Sequence, residues 1–130
     1  SAKWLLENIN DDEVIAPELV DKIKELYPLF QELFTEHKDL IVKSVERHER
    51  LLVIIREYGK HSNDTPEHEE LEKLKVLVVN TIKSSEKSTR IKELLGVDYI
   101  SFGIVKSLYR WFNNPIRSQV MEGVMRQISQ

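Results

Sequence analysis

Apolar side chains recur at steps of three and four through the first half of this chain. Leu19, Val20, Ile23, Leu26, Tyr27, Phe30, Leu33 and Phe34 keep that spacing. Leu40, Ile41, Val45, Leu51, Leu52, Ile55 and Tyr58 carry it on. A helix turns once per about 3.6 residues, so the spacing gathers these side chains on one face. The pattern predicts helix from 17 to 58. Pro28 predicts a kink or a start just before it, and the polar run Glu36-His37-Lys38-Asp39 predicts a break.

Proline and glycine punctuate the remainder. Ala16-Pro17-Glu18, Thr65-Pro66-Glu67 and Asn114-Pro115 read as helix openings, and Gly59 and Gly96 as residues closing the helices before them. A short helix is expected near 3–9, a polar link at 10–16 and a loop from Gly59 to Thr65. A helix from 66 to about 84 should turn Leu71, Leu74, Leu77, Val78 and Ile82 inward. The weak helix formers of Ser84-Ser85-Glu86-Lys87-Ser88-Thr89 suggest a joint. Helices at 88–95, 98–113 and 115–128 follow, the last gathering Ile116, Val120, Met121, Val124, Met125 and Ile128 on one face. No stretch alternates as a strand does. The fold class expected is therefore all-α: one domain over 1–130, an irregular antiparallel bundle of five to seven helices.

Composition narrows the chemistry. The 130 residues include no cysteine, so disulfides, thiolate zinc sites and thiol nucleophiles are excluded; this fits a reducing, cytoplasmic compartment. Apolar runs such as Val76 to Val79 fall far short of the roughly 18 residues of a membrane span. Neither a membrane nor a cofactor is expected as a partner. Net charge is −3 but unevenly spread: residues 1–82 carry −7 and residues 83–117 carry +4. Such asymmetry suits either an anionic partner or complementarity between the two parts of the chain.

Four histidines offer little as metal ligands. His37 and His48 interrupt the apolar stripe in phase with it, about 16 Å apart along a straight helix. With no His-x-x-x-His pair and no repeated Glu-x-x-His, no metal site is predicted. The reading of His37, Ser44 and His48 is a polar row lying against neighbouring helices. Arg56-Glu57-Tyr58-Gly59-Lys60-His61 resembles the Arg-x4-His spacing of the all-helical HEPN nucleases. That resemblance implies a nuclease centred on Arg56 and His61, although Glu57 places an acid beside the phosphate such an enzyme holds.

Two further segments point to binding. Residues 88–112 resemble a helix-turn-helix. Ile91 and Leu95 would pack its first helix, Gly96 would turn and Val97 would plug the turn. Asp98 would cap the second helix and Phe102 with Val105 would anchor it, leaving Arg90, Lys106, Ser107 and Arg110 for nucleic acid. Lys92 stands where that motif takes a small residue, and the second helix is unusually apolar. The other segment is the aromatic and methionine-rich face of Tyr109, Trp111, Phe112, Met121 and Met125 within 98–128, a type of surface that accepts a partner helix. The leading expectation is a non-enzymatic intracellular interaction or regulatory module, binding a protein partner or a second copy through 98–128. A DNA-binding regulator using 88–112 is the alternative, and an enzyme such as a helical nuclease is third.

Overall fold

The computed structural model describes residues 17–58 and 65–128, with side chains from 21 to 57 and from 65 to 128. The expected helix at 3–9, the link at 10–16, the loop with His61, and the closing role of Gly59 lie outside the described residues. Within them are six helices and no strand: α1 (Pro17–Glu36), α2 (Lys38–Tyr58), α3 (Pro66–Lys83), α4 (Glu86–Leu95), α5 (Phe102–Phe112) and α6 (Pro115–Ile128). The fold is an all-α bundle.

Each helix end follows from local chemistry. α1 continues past Pro28 without a break. Both Pro28 and Lys24, whose carbonyl loses its bond to the proline nitrogen, lie on the exposed side, open to solvent. The break between α1 and α2 is one residue, His37. Its N–H still reaches the Leu33 carbonyl (3.2 Å), and its own carbonyl accepts from Ile41 N–H (2.8 Å). Thr65 caps α3 by accepting the His68 N–H at 3.3 Å, with Pro66 next and Glu67 and Glu69 in the first turn. Asn114 Oδ1 accepts the N–H groups of Ile116 and Arg117 to open α6. Gly96 ends α4 at φ +74°, donating to the Lys92 carbonyl at 2.8 Å. That left-handed φ favours glycine because it has no Cβ to strain.

The joint expected over 84–89 is narrower than its composition suggests. Ser84 ends α3 and Ser85 already caps α4, accepting the Lys87 N–H at 3.2 Å. Buried Ser88 donates back across the break to the Ile82 carbonyl at 2.6 Å. The helix expected from 98 begins only at 102. Ser101, not Asp98, supplies its cap, accepting the Ile104 N–H at 3.3 Å. Ile100 is buried in non-helical chain and anchors this linker to the core.

The elements assemble as a long jointed hairpin. α1 and α2 form one arm. α3 and α4 return along it, as Arg47 opposite Glu70 and Glu36 opposite Ser85 show. α3 lies against α2, and α4 lies against α1. The two breaks, His37 and Ser84–Ser85, fall at the same height. There the Glu36 carboxylate accepts from Ser85 Oγ (3.0 Å) and pairs with Lys87 Nζ (3.0 Å). α5 packs across α1, α2 and α3, and α6 folds back against α5 and α1.

The main core fills the hairpin. Phe30, Leu33 and Ile41 from the first arm meet Val78, Ile82 and Ile91 from the second, and α5 adds Val105 and Leu108. A smaller cluster joins Ile23, Tyr27 and Met121. The stripe of α1 is buried as its spacing predicts, from Ile23 through Phe34.

Candidate interaction surface

The five residues expected to greet a partner instead close the molecule on itself. Phe112 sits between Tyr27 and Phe34, with ring centroids 5.7 and 5.8 Å away. Met121 is 1% exposed in the small core, against Ile23 and Tyr27. Met125 packs half-buried on that cluster, and Tyr109 on the main core. Trp111 is half-buried, its ring 5.6 Å from the Arg117 guanidinium carbon and its carbonyl accepting from Ser118 Oγ. The aromatic-methionine face is therefore the seam between α1, α5 and α6. The apolar face of α1 covers Met121 and packs on Phe112, while Tyr109, Trp111 and Met125 stay half-buried.

The helix-turn-helix geometry is not formed. α4 rests on α1, while α5 rests on α1, α2, α3 and α6, so the two helices do not serve as each other's main support. Val97 points outward rather than plugging the turn. Asp98 pairs with Lys83 at 2.9 Å, and that hydrogen bond holds its carboxyl below the usual range. Among the proposed nucleic-acid contacts, Ser107 is buried and donates to the Gly103 carbonyl at 3.1 Å. Arg90 is exposed beside Glu93 at 3.4 Å, Arg110 is exposed, and Lys106 is half-buried. Part of the charge asymmetry is used internally, since Lys87 of the basic third meets Glu36 of the acidic body.

Ser44 and His48 lie in the core as the polar row predicts, and His37 is half-buried. Ser44 is satisfied by the Ile41 carbonyl at 3.1 Å. The His48 ring tilts against Phe102 with centroids 4.8 Å apart, and its Nδ1 is buried without a hydrogen bond. Burial, then the positive charge of Lys106, push its pKa down. His68 belongs to the cap of α3, its Nδ1 2.6 Å from Thr65 Oγ1. Arg56 is exposed at the end of α2, and its HEPN-like partner His61 lies outside the described residues. Among the described residues no group of three or more His, Asp or Glu is placed to hold a metal, and no helix is long and apolar enough to cross a membrane.

Open apolar surface lies elsewhere. On α3, Val76 and Leu77 stand side by side at 59% and 61% exposure, so Leu77 does not face inward as its spacing suggested. Leu77 forms a ridge between two shallow grooves. One, of about 610 Å³, is bounded by Glu72, Lys73, Val76, Leu77, Asn80 and Thr81. The other, of about 420 Å³, is bounded by Pro66, Glu69, Glu70, Lys73, Leu74 and Leu77. On α6 the expected apolar face is split: Met121 turns in, while Ile116, at 73% exposure, and Val120 turn out. A third cleft, about 590 Å³ between α1 and α6, is bordered by Lys24, Tyr27, Glu122, Met125 and Arg126. Burial and the neighbouring Glu122 push the Tyr27 hydroxyl's pKa up.

A signal for α3 was present in the sequence. Four consecutive apolar residues, Val76 to Val79, span about 300° of a helix at 100° per residue. They cannot all face a core on one side. With Val78 buried and Val79 half-buried, the other two are left outside. No protein-family model matches the chain, and searches of curated proteins and of solved structures yield no match either.

Proposed function

We propose that this chain is a non-enzymatic interaction or regulatory module, and that its docking surface is the outer face of α3. The observation that supports this reading is the adjacent exposure of Val76 and Leu77 on a ridge flanked by grooves. Isolated exposed apolar residues are ordinary on protein surfaces, whereas two together with concave flanks suit a partner helix. The seam of Tyr109, Phe112, Met121 and Met125 then acts as support, holding α5 and α6 in place.

Leu77→Glu tests the reading. The side chain is exposed, so the thermal midpoint should stay within about 2–3 °C of the parent, in keeping with the small effect of surface changes. Partners captured by cross-linking the parent protein should be lost. Retention of every partner by this variant overturns the reading. So does tight binding of a DNA duplex at physiological salt that weakens in Lys106→Ala and Arg110→Ala.

A further inference from the structure

We infer that the outer face of α3 takes a second copy of this chain, the two α3 helices lying antiparallel across a two-fold axis between Val76 and Leu77. The inference rests on reading that face as a docking surface, and names its occupant.

Shape is the first argument. Leu77 stands between two grooves that share Lys73 and Leu77 as a common wall. A ridge beside a groove is complementary to its own copy when turned by a half-rotation, the relation that a two-fold dimer requires.

Charge decides the direction. The first half of α3 carries Glu67, Glu69, Glu70 and Glu72, and its end carries Lys83. Parallel alignment would set acids against acids. With Val76 opposite Leu77, antiparallel alignment sets Lys73 level with Asn80 and brings Lys83 of each copy beside Glu72 of the other, since these two share one edge of the face. Lys83 already pairs with Asp98 within each copy, so the contact with Glu72 extends an existing ion pair. No like charges meet within the helix, and the two helix dipoles oppose favourably.

Size sets the strength. An 18-residue helix is about 27 Å long and about 10 Å across, so its footprint is on the order of 300 Å². Standard stable interfaces bury about 800 Å² per partner. The dimer is therefore weak and reversible, and forms at high protein concentration.

The test uses the full chain. Sedimentation equilibrium from about 10 μM to about 1 mM, the range where a weak contact is populated, should show a monomer–dimer equilibrium. Leu77→Glu should abolish it at unchanged circular dichroism and thermal midpoint. Because the sequence has no cysteine, single introduced cysteines report the geometry. Under mild oxidation Leu77→Cys, beside the axis, should give covalent dimer. Glu69→Cys should not, because its two copies stand about 22 Å apart along an antiparallel pair. A chain that stays monomeric at about 1 mM overturns the inference, as does equal cross-linking of both cysteine variants. If the chain stays monomeric yet Leu77→Glu loses a different partner, the docking surface stands and the second copy is wrong.

Discussion

His48 is the residue whose surroundings ask most of it. Its ring lies against Phe102 on α5, on the side of the core where Lys106 of α5 and Lys75 of α3 add positive charge; only Glu49 opposes them. Its folded pKa is lowered, so between that value and about 6.5 the unfolded chain binds the proton better. Its contribution to stability is full above about pH 6.5 and is lost as pH falls through that window. The urea midpoint of the parent should therefore drop between about pH 7.5 and about pH 5.5, and His48→Gln should flatten the drop. A slope equal in both proteins counts against this role. Two glycines make a paired prediction of opposite sign. Gly96→Ala has open space for a Cβ but a φ of +74°, and should cost about 1–2 kcal/mol. Gly123→Ala, mid-helix with its nearest neighbour the flexible Arg126 tip at 3.9 Å, should gain about 0.5–1 kcal/mol. Thermal melts of the two variants read both. The sequence placed His48 correctly because its phase in the apolar stripe is a local property. It misplaced Ser107, which it offered to nucleic acid, because a hydroxyl that satisfies itself on the Gly103 carbonyl is buried at little cost, and composition does not reveal that.

At the level of elements, the junction between α3 and α4 is held by three serines and one acid from the opposite arm. Ser88→Ala removes the 2.6 Å bond to the Ile82 carbonyl inside the core and should cost about 1 kcal/mol in denaturant unfolding. Glu36 is exposed, and its hydrogen bonds from Lys87 and Ser85 hold its carboxyl below the usual range. Its contribution is present above the unfolded value of about 4.3 and is lost as pH falls through the lower folded one. Glu36→Gln should thus alter only the acid limb of the stability profile, leaving the His48 window untouched; a change near neutral pH would contradict this assignment. Helix starts were legible wherever a cap and a proline coincide, at Thr65-Pro66 and Asn114-Pro115. The late start of α5 was not. Asp98 and Ser101 are both competent caps, and the choice between them is made by the burial of Ile100 and by Lys83, fifteen positions away in sequence.

For the whole molecule, the hydrophobic pattern sufficed to define a helical bundle but not which apolar faces meet. Periodicity gives each helix an inside; it does not say that α6 spends its methionines on α1 and leaves Ile116 and Val120 outward. Met121→Ala should accordingly lower stability by about 2–5 kcal/mol, as for any large side chain removed from a core. A variant with unchanged stability and lost binding would return Met121 to the surface. The two aligned breaks, at His37 and at Ser84–Ser85, carry a mechanical consequence. A pair of unbroken helices bends only by shearing one past the other, whereas arms interrupted at one level pivot together without slippage. The upper pair, α2 with α3, and the lower set, α1 with α4 and α6, can then tilt as two stiff limbs about an elbow clasped by Glu36. α5 is the strut laid across that elbow, and the His48–Phe102 contact fastens it to the upper limb. Acid that charges His48 weakens that contact, so amide protection factors near residue 37 and near residue 85 should fall together as the pH is lowered.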